Sequence, residues 1–529
     1  MVFGTVTDMV HPQQRRGGRL AAPAVAVLVL MGTAGCSGGD EGSSAGSDST
    51  IDSTASSTAL DADVVLATDG EVLATVDDRF QSYNVEMVEV TGGEFWRPYD
   101  AGTGRVVRPP LDLGSERLRN LARALGPAYI RVSGSWANST YFDPDGAAGD
   151  APPEGFGGLL TGEQWIGVGE FARAVDGEVT TSFASNDAVR DPSGAWQSDQ
   201  ARALLEFSLE HDVPLVAAEL FNEPGMPVGV PAGYDGAAYS RDVETFLDMV
   251  DDVMPELRIA GPGAIADVVP LVISPSITAE ALADGAAPRL DAFSYHFYPK
   301  VSERCGSAEG PEIALTAEYL ARIDESKAFY EDLRDRTAPG APMWITETAQ
   351  AACGGDRWAA TYRDVIRYVD TLGRLSTGDG DAVFHNTLAA SDYGLIDEDG
   401  LEPRPAYWAA VLWARLMGPL VLAAADTTSL EDLTVYARCR VGDGPGVTYA
   451  VVNASTEQSR TVATTSGAAE VYLLTSDDLD GTSIQLNGTE LVANDDGTLP
   501  DLVGEQVDGV VEVPPTSVAY VVDPDAPGC

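Results

Sequence analysis

The chain has 529 residues, which is long enough for more than one domain, and 44% of them are hydrophobic, an ordinary fraction for a globular protein. Its 82 acidic and 32 basic residues give a formal net charge of −50, which indicates a strongly solvated surface or adaptation to salt. Lysine occurs only at Lys300 and Lys327. Because nucleic acids and other polyanions are bound through lysine and arginine, we expect no nucleic-acid partner.

The amino terminus is typical of an export signal. An apolar run, 20–31, follows a cluster of arginines and ends shortly before Cys36, after which Ser, Gly and Asp dominate. This order resembles a bacterial lipoprotein signal and predicts a signal peptide over 1–35, a lipid anchor on Cys36 and a flexible tether over 36–60. Thr33 stands where such signals usually carry leucine, so simple secretion remains an alternative. A membrane span is disfavoured because the run is shorter than the ~20 residues that cross a bilayer.

Short apolar strands alternate with amphipathic helices through the middle of the chain. The helical segments, such as 197–211, 239–254 and 314–336, carry apolar residues at i, i+3 and i+4. The strand segments are continuous apolar runs, the pattern of a parallel sheet that is covered on both faces. Eight such units predict a closed (β/α)8 TIM barrel over 80–418, with its active site at the carboxyl ends of the strands. The predicted barrel strands are 80–90, 128–136, 178–186, 215–222, 257–265, 290–298, 343–347 and 381–388.

The character of the sequence changes beyond residue 418, after a final predicted barrel helix at 406–416. Short β-branched segments separated by Gly, Asp, Asn and Ser predict a C-terminal β-sandwich over 419–529. Two segments before the barrel, 64–66 and 71–76, have the same character, so we expect residues 61–79 to join that sandwich. The predicted fold class is therefore α/β, a barrel followed by a β-sandwich.

Two glutamates stand at the ends of predicted strands. Glu223 follows Asn222 directly, and Glu347 stands between two threonines 124 positions later. A retaining glycoside hydrolase needs two such carboxyl groups, because one protonates the leaving oxygen while the other attacks the anomeric carbon. The order, spacing and strand-end placement of the two residues favour this chemistry.

Four cysteines remain once Cys36 is set aside, and in an exported chain an even number favours disulfides. Four cysteines allow three pairings. The pairing Cys305–Cys353 with Cys439–Cys529 keeps each bridge within one predicted domain, and it is the one that we expect. No Cys/His cluster has the spacing of a metal site, so we expect neither a metal nor a cofactor.

Seven motifs follow one another along the chain: SYNVE (82–86), YIRVSGS (129–135), ELFNEP (219–224), SYHFY (294–298), ET (347–348) with CGG (353–355), NTL (386–388) with SDYGL (391–395), and RPAYW (404–408). Together they resemble glycoside hydrolase family 79, the family of β-glucuronidases and heparanases. The resemblance covers roughly 80–418 and is weaker in the sandwich. The chain departs from the family at Cys353, where heparanases carry glycine, at 385–386, where many relatives have Arg-Gln, and at 391–392; these departures leave the substrate open.

The resemblance implies a role for residues that match these motifs. Glu223 is expected to be the general acid/base and Glu347 the ionised nucleophile, with their carboxyl groups about 5–5.5 Å apart. Because Glu347 must stay ionised, it should accept a hydrogen bond, and either His296 or Tyr298 is the expected donor. Asn222 is expected to hydrogen-bond the 2-hydroxyl of the sugar, a contact that strengthens as charge develops at the anomeric centre.

The resemblance also implies how a sugar is recognised. Asn84 and Glu86, at the end of the first barrel strand, are expected to hold its outer hydroxyls. The carboxylate of glucuronic acid would be met by the backbone amides of Cys353 and Gly354 and by the hydroxyl of Tyr393. Glycine permits close approach of the backbone, and adjacent amides form an anion-binding nest.

The favoured function is an exo-acting retaining β-glucuronidase that releases terminal glucuronic acid or its 4-O-methyl form. We expect an exported monomer, lipid-anchored at the outer face of the bacterial cell membrane or secreted. A net charge of −50 argues against heparan sulfate as substrate, because a polysulfated chain needs basic residues to hold it. The alternatives are an endo-β-glucuronidase of heparanase or hyaluronidase type, a neutral-sugar β-glycosidase of the same clan, and a non-catalytic carbohydrate-binding lipoprotein.

Overall fold

The computed structural model describes residues 62–529 apart from 103, 270–273, 287–288, 425–426, 428 and 443–444. The predicted signal peptide, the lipidation site at Cys36 and the tether lie outside the described residues. Within the described part of the chain, no helix is both long and apolar enough to cross a lipid bilayer.

Strands and α-helices of the described residues are numbered in chain order. The strands up to the end of the barrel are β1 Val64–Leu66, β2 Val72–Thr75, β3 Gln81–Asn84, β4 Gly93–Trp96, β5 Arg105–Arg108, β6 Ala128–Val132, β7 Thr140–Asp143, β8 Gly158–Thr161, β9 Gly177–Thr181, β10 Leu215–Ala218, β11 Arg258–Ala264, β12 Ala292–Phe297, β13 Met343–Thr348 and β14 Ala382–His385. The later strands are β15 Met417–Leu422, β16 Leu433–Arg440, β17 Val447–Asn453, β18 Arg460–Thr464, β19 Ala469–Thr475, β20 Gln485–Leu486, β21 Thr489–Glu490, β22 Glu505–Val507, β23 Val510–Val513 and β24 Ser517–Asp523. The helices are α1 Met87–Thr91, α2 Glu116–Arg123, α3 Gly162–Ala174, α4 Asp199–Glu210, α5 Gly236–Val253, α6 Ala279–Ala286, α7 Ala317–Leu320, α8 Arg322–Thr337, α9 Arg363–Arg374 and α10 Pro405–Leu416.

Eight parallel strands close into the barrel in the order β3-β6-β9-β10-β11-β12-β13-β14, with β14 paired to β3. Each of the eight predicted strand segments overlaps one of them, with β9 beginning one residue earlier and β13 ending one residue later than predicted, so the predicted (β/α)8 barrel is confirmed. All residues of β3, β6, β12, β13 and β14 are buried, because inward side chains fill the barrel and helices cover the outward ones.

The first barrel strand is shorter than predicted. The segment 80–90 was expected to be one strand, but β3 ends at Asn84 and the short helix α1 follows it. The reason is local: the backbone N–H of Glu86 donates to Glu89 Oε2 (2.7 Å), which turns the chain into a helix.

The predicted helix 314–336 is also divided, into α7 and α8. The first of these begins after Thr316, whose hydroxyl accepts the N–H of Tyr319 (3.3 Å) as an N-cap. The predicted helices 197–211 and 239–254 correspond to α4 and α5, with ends that differ by one to three residues.

Two sheets form the sandwich. The larger has the order β2-β15-β16-β17-β24-β19-β20-β21, with β22 beside β19, and the smaller has β1-β18-β23. Their facing side chains share one apolar core, to which Leu66, Val462, Val513 and Tyr449 belong. All neighbouring pairs are antiparallel except β1 with β18. The predicted fold class, a barrel followed by a β-sandwich, is confirmed.

Strand β17 shows why the larger sheet is buried on both faces. Tyr449 and Val451 belong to the sandwich core, whereas Ala450 and Val452 belong to the core of the barrel, since alternate residues of a strand face opposite sides. The neighbouring strand β24 adds a polar tie, because the Tyr520 hydroxyl donates to the carbonyl of Ala409 in α10 (2.9 Å). The sandwich is thereby packed directly against the barrel helices.

Both expected disulfides are present, which confirms the pairing. Cys305–Cys353 joins the loops that follow β12 and β13 at the mouth of the barrel. Cys439–Cys529 ties the last residue to β16 in the sandwich. Each bridge restricts the unfolded chain and so stabilises the folded state.

Candidate active site

The two strand-end glutamates meet at the carboxyl end of the barrel. Glu347 is a residue of β13, and Glu223 lies in the loop that follows β10. A carboxylate oxygen of Glu223, one of Glu347 and a ring nitrogen of His296 all lie within 4.8 Å of one another. That separation is close to the ~5–5.5 Å of retaining glycosidases and well below the ~6.5–9.5 Å of inverting ones.

Glu223 is presented by an unusual backbone. Its φ of 47° lies in the left-handed region that a non-glycine residue rarely adopts. Asn138 holds the preceding residue in place: its side-chain nitrogen donates to the carbonyl of Asn222 (2.8 Å), and its oxygen accepts the N–H of Asn222 (3.1 Å). Strain of this kind persists only where neighbouring contacts determine it, and it is common at functional sites.

His296 lies between the two glutamates. Its Nδ1 is 3.0 Å from Glu223 Oε1 and 3.7 Å from Glu347 Oε2. Its Nε2 is 3.3 Å from a guanidinium nitrogen of Arg131. Because a guanidinium can only donate, the Nε2 must accept and the ring proton lies on Nδ1, where it faces Glu223.

Arg131, from β6, is the central cation beneath the two glutamates, and the sequence analysis gave it no role. Its guanidinium is almost fully buried and reaches Glu347 Oε2 (3.3 Å), Glu219 Oε2 (2.8 Å) and Asn222 Oδ1 (2.8 Å). Burial alone would lower the pKa of Arg131, but Glu219 and Glu347 raise it above its ordinary value. The residue therefore supplies a permanent positive charge next to the candidate nucleophile.

Glu219 is the second residue that sequence reasoning missed. Besides Arg131, the hydroxyls of Ser294 (2.6 Å) and Thr346 (2.8 Å) donate to its Oε1. Burial alone would raise the pKa of Glu219, but Arg131 and these donors hold it below its ordinary value. The available signal was a charged residue inside an apolar run, because a buried charge requires a partner.

Glu347 is also held from the opposite side by a chain of neutral donors. The Tyr298 hydroxyl donates to Glu347 Oε1 (2.6 Å), as expected of a hydrogen-bond donor to that residue. Asn386 Nδ2 lies 2.9 Å from the Tyr298 hydroxyl and 3.3 Å from that of Tyr393, while its Oδ1 accepts from Asn84 Nδ2 (3.1 Å). Burial raises the pKa of Tyr298 well above its ordinary value, which keeps its proton in place for donation. Asn386, to which the sequence assigned no role at the site, thereby connects Asn84, Tyr298 and Tyr393.

Glu86 faces the same space from the end of β3. Burial and then repulsion from Glu347 raise the pKa of Glu86 well above its ordinary value, against the attraction of Arg131. A neutral carboxylic acid can donate a hydrogen bond, and its Oε2 has no partner among the described residues. Gly134 makes room for this oxygen, because an added Cβ there would lie 1.5 Å from it.

The loop after β13 brings the expected anion-binding residues together. Cys353 and Gly354 adopt φ values of 64° and 80°, and the Ser391 hydroxyl donates to the carbonyl of Gly354 (2.9 Å). Among the described residues, the amides of Cys353 and Gly354 donate to no acceptor. Tyr393 packs beside this loop, since a Cβ on Gly355 would lie 3.0 Å from its Cβ. The Cys353 side chain is engaged in its disulfide, so only its backbone is available.

Glu223, His296 and Glu347 offer a set of atoms that in principle fits a metal ion. The Arg131 guanidinium, 3.3 Å from Glu347 Oε2, already provides a cation at this position. A second cation would be repelled there, so the charge balance of the site favours an organic substrate over a metal.

The chain is similar to known carbohydrate-active proteins, although no protein-family model matches it. Heparanase-like protein 1 of Arabidopsis thaliana is 25% identical and aligns over 68% of this chain and 67% of its own length. Baicalin-β-D-glucuronidase of Scutellaria baicalensis is 26% identical and aligns over 62% of each chain. Among solved structures, a 4-O-α-L-rhamnosyl-β-D-glucuronidase from Fusarium oxysporum covers 87% of this chain and 100% of its own, with a TM-score of 0.60 and 14% identity.

The Fusarium enzyme shares the fold of this chain, a barrel with a C-terminal sandwich. The two relatives found by sequence are a heparanase-like protein and a β-glucuronidase. They confirm the resemblance to glycoside hydrolase family 79 that the seven motifs indicated.

Proposed function

We propose that the protein is a retaining β-glycosidase in which Glu223 is the general acid/base and Glu347 the nucleophile. The observation that carries this proposal is the approach of the two carboxylates to within 4.8 Å at the mouth of the barrel. In the first step Glu223 gives its proton to the glycosidic oxygen as Glu347 bonds to the anomeric carbon and the aglycone leaves. In the second step Glu223 takes a proton from water, which attacks the same carbon and releases Glu347.

The surroundings of each glutamate suit its proposed step. Arg131 and the Tyr298 hydroxyl both donate to Glu347, one to each carboxylate oxygen, which holds the carboxylate in position for attack. The Nδ1–H of His296 orients Glu223 without supplying a full charge. Asn222 uses its Oδ1 to accept from Arg131, which leaves its Nδ2 to donate to the 2-hydroxyl of the sugar.

We further propose that the sugar is glucuronic acid or its 4-O-methyl form, removed from the end of a glycan or glycoside. The free amides of Cys353 and Gly354, with the Tyr393 hydroxyl beside them, offer donors for a carboxylate. Glu86 and Asn84 lie at the end of β3, where they would contact the outer hydroxyls. The names of two similar proteins, a baicalin glucuronidase and a rhamnosyl-glucuronidase, support this choice.

An exo mode on small or unsulfated substrates accords with the charge of the protein. A net charge of −50 with only two lysines leaves little to hold a polysulfated chain.

Two disulfides suit an oxidising compartment, so we also propose that the protein is exported and, through Cys36, lipid-anchored. Detection of a diacylglyceryl-modified Cys36 peptide by mass spectrometry tests the anchor.

Hydrolysis of p-nitrophenyl β-glucuronide, compared with the β-glucoside, tests the proposed activity. We expect turnover of the glucuronide with little action on the glucoside. Turnover of the glucoside alone would indicate a neutral-sugar glycosidase. Release of oligosaccharides from hyaluronan or heparan chains, without action on small glucuronides, would indicate an endo-acting enzyme instead.

A further inference from the structure

A β-hairpin, formed by β4 and β5, crosses the mouth of the barrel. Its strands pair antiparallel with Trp96 opposite Arg105. On one side Trp136, in the loop after β6, donates its indole N–H to the carbonyl of Glu94 (3.0 Å). On the other side Trp96 packs on Gly354, where an added Cβ would lie 2.6 Å from the Trp96 Cβ. The hairpin is therefore fixed between the loops that follow the second and seventh barrel strands.

The aromatic residues of this hairpin continue the wall of the candidate site. One apolar cluster contains Phe95, Tyr298 and Tyr393, and Trp96 and Trp136 pack against it. Both tyrosines belong to the hydrogen-bonded chain that reaches the candidate nucleophile. A substrate bound at the two glutamates would therefore extend toward the hairpin.

Arg105 is held by this wall without being neutralised. Its guanidinium carbon lies 4.4 Å from the ring centroid of Trp96 and 5.7 Å from that of Trp136. Within the described part of the chain, Arg105 makes no ion pair at or below 4.0 Å. Stacking on indole rings orients a planar guanidinium but leaves its N–H edge open, and that edge matches a carboxylate bidentately.

The charge of the cleft makes such a cation useful. Glu86, Glu223 and Glu347 surround the space for the sugar, and Arg131 is already engaged by carboxylates. An anionic sugar would be repelled by the ionised members of this group unless a cation compensates. Burial lowers the pKa of Arg105, but the nearby Glu94 and Tyr393 oppose that shift, and a guanidinium remains charged.

We propose that Arg105 is a specificity-determining residue that binds the carboxylate of a uronic acid in the substrate. This assignment rests on the proposed glucuronidase function and adds a charge to the neutral donors of the loop after β13. Trp96 and Trp136 set the position of the guanidinium, and the Tyr393 hydroxyl lies near it. Arg105 then adds to the selectivity that these neutral donors give for a glucuronide over a glucoside, although the hairpin contributes no atom to the reaction itself.

Paired kinetics with Arg105→Gln test this proposal. Glutamine removes the charge but keeps a polar side chain, so we expect kcat/KM for p-nitrophenyl β-glucuronide to fall about 10–100-fold, mainly through KM. The value for the β-glucoside should change less than about threefold. Arg105→Lys should be intermediate, because lysine keeps the charge but not the fork. An equal fall for both substrates, or no fall for either, would overturn the proposal.

Arg357→Gln is the matched control. This arginine is exposed, pairs with Asp100 (2.8 Å) and lies over the ring of Tyr99 (5.1 Å), so its removal takes one positive charge from the protein while Arg105 and its two tryptophans stay unchanged. We expect it to leave both substrates unaffected. A fall as large as that of Arg105→Gln would show that net charge alone acts, and it would contradict a specific carboxylate contact.

Calorimetric titration with D-glucuronate separates this proposal from the proposed function. If the wild-type protein hydrolyses no glucuronide, the proposed function fails. Binding of glucuronate that weakens at least about tenfold in Arg105→Gln would still support the carboxylate subsite. Absent binding, or equal binding by both proteins, would overturn it.

Discussion

The ends of β13 and β10 each present one glutamate to the same cleft, but they hold it in different ways. Glu347 accepts from Arg131 and from Tyr298, so both of its oxygens are fixed. Among the residues that the structure describes, Glu223 has one side-chain hydrogen-bond partner, His296, and its backbone is left-handed. A nucleophile must stay ionised in one position, whereas an acid/base must gain and lose a proton in each cycle. The contrast in contacts therefore accords with the proposed division of roles.

Glutamine substitutions of Glu223 and Glu347 test this contrast and have the largest expected effects. Glu347→Gln should reduce kcat by about 10⁴-fold or more for every substrate, because no other group can form the covalent intermediate. Glu223→Gln should reduce it by about 10²–10⁴-fold with poor leaving groups and much less with activated phenols, which leave without protonation. A plot of rate against leaving-group pKa for both variants checks this. Equal losses for both variants on all leaving groups would contradict the assignment.

Replacement of Arg131 tests the buried charges beneath Glu347. Arg131→Met leaves Glu219 and Glu347 without their cation, so the free energy of unfolding should fall by about 3–5 kcal/mol. Urea denaturation of the variant measures this loss. Arg131→Met combined with Glu219→Met should recover part of it, since the second change removes the stranded charge. An unchanged stability in the single variant would contradict the buried ion pair.

Removal of the Tyr298 hydroxyl tests the uncharged hydrogen-bond donor to Glu347. Tyr298→Phe deletes the donor to Glu347 Oε1, and a hydrogen bond to a charged group contributes about 1.5–3 kcal/mol. We expect kcat/KM to fall about 10–100-fold with little change in thermal stability. Tyr319→Phe is the control, because Tyr319 donates to a backbone carbonyl at Gln350 and not to either glutamate. Similar kinetic losses in both variants would show that the effect is general.

The smallest expected effect is the contribution of Glu89 to the pH dependence of the free energy of unfolding. Burial raises the pKa of Glu89, behind Glu86, to about 7 from an ordinary value of 4.5. Between about pH 4.5 and 7 the folded state therefore holds a proton on Glu89 that the unfolded state has released. The contribution of this proton to the free energy of unfolding is complete below about pH 4.5 and is lost as the pH rises through about 7. Stability should decline over that window, and Glu89→Gln should decline less. Chemical denaturation at several pH values checks the slope, and identical slopes would refute the shift.

The barrel and the two glutamates could be predicted because both leave a local signature. Buried parallel strands are continuous apolar runs, and a strand-end glutamate is visible in the residues that flank it. The end of the first barrel strand could not be predicted, because the turn at Glu86 depends on one side-chain contact with Glu89. Arg131 in β6 contacts Glu219, just after β10, and Glu347 in β13. These segments are far apart in sequence, so spacing alone does not reveal the contacts.

The hairpin of β4 and β5 was missed for a different reason. Its strands have four residues each and mix aromatic and charged side chains, so neither a periodic nor an apolar pattern marks them. Only the folded chain brings Arg105 over Trp96 and Trp136. The specificity proposed for this residue therefore rests on packing that the sequence does not display.

The most direct test of the central claim is to trap the covalent intermediate. Incubation with a 2-deoxy-2-fluoro-β-glucuronyl fluoride slows both steps, and peptide mass spectrometry then locates the bound sugar. The proposed mechanism predicts one fluoroglucuronyl group on the peptide that contains Glu347, with none after Glu347→Gln. A sugar bound to Glu223 or Glu86, or an inverted product formed with no adduct on the enzyme, would contradict it.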